Sequence, residues 1–301
     1  MRIIHVFLIC GICSSTLTVS GQTDTTTLPK DSTLPVMDQA GRPAILPSPA
    51  DSSTPQEHIV TAADTVIRYR INGRYLGSMW QDLKYTVARP AHWQQKQWIQ
   101  FGTVTTVTGL LMVGDYEIKQ FFNHNHASVL SQVSRRVEPF GNAYSPYLIA
   151  GLYVTSLITK NRELEHASLM TAKSLVITTL LYSITKSTIR RERPSYTDHP
   201  FNIDPPFSND KKHTSFPSGH TLTVTTVATA ISELYGKRYP WVPWVAYGIA
   251  GLTGISRLYD TRHWSSDVWV GASLGFFVTK SVFRHHREQE QKLKKMQLVK
   301  Y

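Results

Sequence analysis

The sequence predicts an all-α protein, a bundle of about six core helices. Three observations carry this. From residue 97 onward, apolar runs of helical length dominate; glycine and proline cluster between those runs, where helices stop; and alternating apolar–polar strand patterns are scarce. With 301 residues and 41% hydrophobic composition, the chain is long enough to bury a sizeable core.

Taken in order, residues 1–21 carry one basic residue, Arg2, then an apolar run from Ile3 to Cys13, then small residues to Gly21. This is the pattern of a secretory signal peptide or short hydrophobic anchor; a membrane span needs roughly 20 apolar residues. Residues 22–64 are rich in Thr, Ser, Pro and Asp without any period, and read as a disordered spacer. Residues 65–96 read as an irregular lead-in with a short helix around Trp80–Tyr85, since Gly73, Gly77 and Pro90 interrupt it. Helices are expected near 97–122, 125–136, 143–160, 164–188, 219–236, 241–257 and 265–290, and residues 284–301 as a basic C-terminal tail. The breakers at 139–146, 194–206, 216–219 and 240–243 fall between them.

The formal net charge is +11, which favours anionic partners: phosphate groups, an acidic lipid surface or nucleic acid. No familiar nucleic-acid module is visible, so no nucleic-acid partner is expected. The only cysteines are Cys10 and Cys13, so no thiolate metal site can be built in the core. Charge-free runs over 97–114, 139–159 and 239–256 are long enough to approach a span, whereas Lys173 interrupts the run that ends at Lys186. Mean hydropathy is −0.21. If the amino terminus is exported and six helices span, the loops after the third and fifth spans face the cytoplasm. A bundle on the periplasmic side, with the basic tail on an anionic membrane, avoids that conflict, and an integral six-span bundle stays open.

Three polar clusters sit at the expected helix ends. Lys186 to Arg193-Pro194 closes one long helix, Ser215-Phe-Pro-Ser218-Gly219-His220 opens the next, and Ser256-Arg257 to His263 and Asp267 bridges two more. If neighbouring helices are antiparallel, these ends meet on one face. Lys186, Arg193 and Arg257 then supply cations for phosphate oxygens. Ser218 and Gly219 open a helix whose free amides suit an anion. Asp267, four residues after His263, can hold one ring nitrogen as N–H and free the other as a nucleophile. His220 can serve as acid and base for the leaving oxygen and the water. Nothing here calls for a metal or other cofactor. Each cluster alone also reads as an ordinary solvated helix end, capped turn or structural pair; it is their combination that points to phosphoryl transfer. His124 and His126 read as a polar loop and His285 and His286 as part of the tail.

These clusters resemble the signature of the type 2 phosphatidic acid phosphatase (PAP2) family, which includes bacterial nonspecific acid phosphatases and vanadium haloperoxidases. The pattern Lys-x6-Arg-Pro, Pro-Ser-Gly-His and Ser-Arg-x5-His-x3-Asp is matched by Lys186, Arg193-Pro194, Pro217 to His220, Ser256-Arg257, His263 and Asp267. The resemblance covers roughly residues 97–283. It implies a helical fold, a covalent phosphohistidine on His263, and phosphate binding by Lys186, Arg193, Ser218, Gly219, His220 and Arg257. It also implies that Asp267 orients His263. The expectation is a metal-independent phosphatase acting on a membrane lipid phosphate at the periplasmic side of a bacterial membrane. A soluble secreted acid phosphatase, a vanadium-dependent haloperoxidase and a non-catalytic binder of phosphate headgroups are the alternatives.

Overall fold

The computed structural model describes residues 67–299, so the expected signal segment and spacer lie outside the described residues. The lead-in forms α1, Gly73–Ala88, longer than the short helix expected around Trp80. Asn72 explains its start: the side chain accepts from the Tyr75 amide, and Gly73 stands at the helix's first position, where it interrupts nothing. A 3-10 turn at Arg89–His92 leads into α2, Gln95–His124, opened by a reciprocal capping box between Gln94 and Gln97. Then follow α3, Ser128–Val137, a 3-10 turn at Glu138–Gly141, α4, Tyr144–Ile158, and α5, Arg162–Thr188. Asn161 caps α5 by accepting from the amides of Glu163 and Leu164, and two acidic residues in its first turn suit the positive helix end.

After α5 the chain enters a long loop that holds the only strands among the described residues. These are β1, Arg190–Arg191, and β2, Ile203–Asp204, paired antiparallel. The remaining helices are α6, Gly219–Tyr235, α7, Val242–Tyr259, and α8, Ser265–Val299. The all-α expectation holds, and α3, α4, α6 and α7 each begin or end within a few residues of an expected breaker.

α6 is the axis of the bundle, packed against α5, α7 and α8. Glycine makes the α6–α8 approach possible: a Cβ on Gly271 would stand 2.5 Å from the Ser218 carbonyl oxygen, and one on Gly275 2.7 Å from that of Leu222. One apolar cluster joins Met170, Ile177, Ala230, Val278 and Val282 across α5, α6 and α8.

Two expectations are corrected here. Lys173 does not break the burial of α5. It is fully buried, 2.5 Å from Asp82 of α1, so its charge is neutralised inside the fold. Nor is the chain from residue 284 a separate tail. α8 continues through it, and His285 pairs with Asp82 at 2.5 Å while its ring stacks on Tyr85. His286 is buried beside Tyr69, and Glu290 accepts from the Ile67 amide. The lead-in and the second half of α8 thus clamp one another, while Arg284, Arg287, Lys292, Lys294 and Lys295 stay exposed.

The outer surface of the bundle is unusually apolar. Val113 on α2, Ile158 on α4 and Trp244 on α7 are 79%, 76% and 83% exposed, and further large apolar side chains surround them. α5 is long and apolar enough to cross a membrane, with half of its most apolar window buried. Such a surface suits contact with another apolar phase or partner.

Candidate active site

α5 and α7 run toward the same end of the bundle, and α6 and α8 start from it, so the three clusters converge there. The last turn of α5 brings Lys186, whose Nζ donates to the Thr214 carbonyl at 2.9 Å. Arg193 follows in the loop; its Nε donates to Thr214 Oγ1 at 3.0 Å and its amide to the Lys212 carbonyl at 3.0 Å. One short segment, Lys212–Ser215, therefore aims both cations. Gly219 opens α6 with Tyr182 packed close: a Cβ there would lie 2.7 Å from Tyr182 Oη, so that ring would have to move. Ser218 is fully buried, its amide bound to the Asp267 carbonyl and its Oγ 2.9 Å from Thr221 Oγ1.

His263 sits in the turn between α7 and α8 and is 5% exposed. Its Nδ1 lies 2.6 Å from the Ser215 carbonyl oxygen. A carbonyl only accepts, so Nδ1 carries the hydrogen and Nε2 keeps its lone pair. Among the described residues Nε2 has no hydrogen-bond partner. Burial, then the positive charges of Lys186 and Arg193, hold this imidazole well below the usual histidine pKa. The ring is thus neutral and nucleophilic, beside cations that suit a phosphate. His220 acts electrostatically on the same ring, so the two histidines share one site.

The expected contact between Asp267 and the His263 ring is not made. Asp267 is fully buried and accepts from Ser215 Oγ at 2.5 Å, the Trp264 amide at 3.1 Å and Arg191 Nη1 at 2.8 Å. It reaches His263 indirectly, by fixing Ser215, whose carbonyl holds Nδ1. The reason is local: α8 begins only at Ser265, and the preceding turn contains Thr261 at φ 49°, so the four-residue spacing is not a helical turn.

Arg257 ends α7, 4% exposed, with Nη2 3.0 Å from Asp260 Oδ2 and Nη1 3.5 Å from Glu138 Oε1. The same Glu138 oxygen lies 3.0 Å from His220 Nε2. Glu138 comes from the 3-10 turn before α4, and Gly141 in that turn lets it press on His220: a Cβ there would be 2.7 Å from His220 Cβ. Three residues were given no role in the site by the sequence reading, Arg191 counting there only as part of a basic helix end. Glu138 bridges a histidine and an arginine of the site. Arg191, 1% exposed, spans Asp267 and Asp115 of α2 at 2.8 and 2.7 Å. Asp115 in turn accepts from Ser265 Oγ and from the amide and Oγ of Ser266. The only sequence signal for Asp115 is a lone acid ending the charge-free stretch from 97 to 114. For Glu138 there is none. A small cleft lined by Lys119, Pro194, Leu258, Thr261 and Trp264 leads to His263 from the α2 side.

The family model of the PAP2 superfamily matches residues 168–291. A lipid A 1-phosphatase of Porphyromonas gingivalis is 41% identical over 90 residues, 28% of this chain and 20% of that protein. An undecaprenyl-diphosphatase of Sulfolobus acidocaldarius is 26% identical over 166 residues, 54% of this chain and 74% of that one. The chain therefore spans only about a fifth of the length of the first of these relatives. Among solved structures, the first transmembrane PAP2-type phosphatidylglycerolphosphate phosphatase from Bacillus subtilis aligns with a TM-score of 0.49 and 22% identity, covering 62% of this chain and 95% of that one.

Proposed function

We propose that this chain, whose residues 168–291 match the PAP2 superfamily model, is a metal-independent phosphatase that removes phosphate from a membrane lipid through a phosphohistidine on His263. One observation carries this reading: the Ser215 carbonyl ties down His263 Nδ1 and leaves the Nε2 lone pair beside Lys186 and Arg193. In the first step Nε2 attacks phosphorus, a P–N bond forms and the ester P–O bond breaks. His220 gives its proton to the departing oxygen. In the second step His220 takes a proton from water, the water oxygen attacks phosphorus, the P–N bond breaks and inorganic phosphate leaves. Lys186, Arg193, Arg257 and the first amides of α6, at Ser218-Gly219, hold the equatorial oxygens as charge develops. Asp267 positions His263 through Ser215, and Glu138 positions His220 through Nε2, leaving Nδ1 for proton transfer.

The lipid substrate is supported by the apolar outer surface, which brings the site to a membrane, and by the lipid phosphatase among the relatives. The same surface weighs against the soluble secreted alternative. We place the catalytic end at the periplasmic face of a bacterial membrane, where phosphorylated lipids present their headgroups to it. The test is phosphate release in EDTA by purified protein given phosphatidate in detergent and, separately, a soluble aryl phosphate. Release from the lipid that vanishes in His263→Ala supports the reading. Turnover of the aryl phosphate with none of the lipid would move it to the soluble alternative.

A further inference from the structure

We infer that Asp204, Asp210 and His213, in the loop before α6, bind a divalent first-row transition cation of the zinc class. The three donor atoms lie within 4.8 Å of one another. His213 Nδ1 stands 3.3 Å from Asp204 Oδ2 and 3.4 Å from Asp210 Oδ2. Neither approach is a hydrogen bond, and Nδ1 is a buried nitrogen with no partner, on a side chain only 10% exposed. A buried, unpartnered nitrogen aimed between two carboxylates is costly unless something joins them. Metal–ligand bonds of about 2.05 Å at tetrahedral angles set neighbouring donors about 3.3 Å apart. The two separations from Nδ1 match such edges.

The rest of the loop leaves a lone pair on each of these donors for an ion. Arg190 donates to the Asp210 carbonyl, not its carboxylate, and Lys212 N occupies the other oxygen, Asp210 Oδ1. Ser208 Oγ donates to Asp204 Oδ2, as an orienting partner of a ligand does. The far ring nitrogen of His213 lies 3.9 Å from Glu192, beyond hydrogen-bond reach. An imidazole among the donors argues against calcium or magnesium, which prefer oxygen alone.

The cation takes no part in the chemistry of His263. Its place is structural: it would pin β2 to the segment just before Thr214, whose oxygens hold Lys186 and Arg193.

The test uses the full chain in detergent, its purification tag removed, treated with chelator and titrated with Co²⁺ as a spectroscopic probe. One equivalent of Co²⁺ with visible absorption, displaced by Zn²⁺, is expected, together with a rise of several degrees in the thermal midpoint on adding Zn²⁺. His213→Gln and the half-exposed Asp210→Asn should each lose both effects. No stoichiometric binding, or binding unchanged in these two variants, would overturn the inference. His263→Gln should bind Co²⁺ like the unaltered protein, so this site and the phosphatase reading stand or fall separately.

Discussion

At His263 one backbone carbonyl decides which ring nitrogen keeps its lone pair, the nucleophile of the proposed reaction. With Nδ1 committed to Ser215, only Nε2 can attack, and the depressed pKa keeps that nitrogen unprotonated in mildly acidic solution. A lowered pKa moves the protonation step to lower pH, so the acid limb of kcat/KM should fall below pH 6.5, the usual histidine value. A limb at or above that value would contradict the geometry. Asp267→Asn leaves the Nδ1 contact in place but weakens the hold on Ser215 and Arg191. A loss in kcat of about 10²-fold, the scale of a modest misplacement, is expected in steady-state assays. Glu138→Gln tests a subtler role. If Glu138 positions His220 as the acid, kcat should fall about tenfold for a lipid ester and much less for an aryl phosphate whose leaving group needs no proton. An equal loss on both substrates would mark Glu138 as merely structural. The motif residues were legible because they recur at helix ends in fixed order. Glu138 was not, because its link to His220 spans 82 residues and exists only in three dimensions. The pairing of Asp267 with the ring was misread because the spacing assumed a helix that starts two residues too late for it.

At the scale of elements, the site depends on how closely α8 lies against the turn that opens α6. Gly271→Val puts a side chain where the Ser218 carbonyl already stands, and backbone cannot yield as a side chain would. A loss of about 1–3 kcal/mol in stability is expected, with turnover falling as the Ser218 turn is displaced. Gly251→Ala on α7, with nothing within 4 Å, is the control and should leave the thermal midpoint unchanged or raised. Arg191 is the other joint, binding α2, the β1 loop and α8 through two buried carboxylates. Arg191→Met strands Asp115 and Asp267 without a counter-ion, and roughly 3–5 kcal/mol should be lost in denaturation measurements. The helices themselves were plain in the sequence, since apolar runs and breakers are local signals. The full length of α1 was not: its stability comes from Asp82, Tyr85 and Tyr75 meeting α5 and α8. For the same reason Lys173 looked like an interruption. A lone charge in an apolar run is read correctly only when its partner, 91 positions away, is known.

For the whole molecule, the exposed apolar side chains and the converging polar end suit the proposed bundle that contacts lipid and works at one of its faces. Sidedness is tested with single cysteines, after Cys10 and Cys13 are replaced by serine. Tyr196→Cys, exposed beside the site, should react with an impermeant maleimide in intact cells, whereas Lys237→Cys, in the α6–α7 connection at the opposite end, should not. The reverse pattern would turn the catalytic end to the cytoplasm.

The central claim is a covalent phosphate on His263 Nε2, and trapping it is the most direct test. Protein mixed with ³²P-labelled lipid substrate and quenched within one turnover should carry label that is labile in acid and stable in base. Given a ³²P-labelled aryl phosphate, whose leaving group needs no proton, His220→Gln should accumulate label because the water step lacks its base, and His263→Gln should carry none with either substrate. Label that survives in His263→Gln, or hydrolysis that proceeds without any labelled protein, would contradict the account.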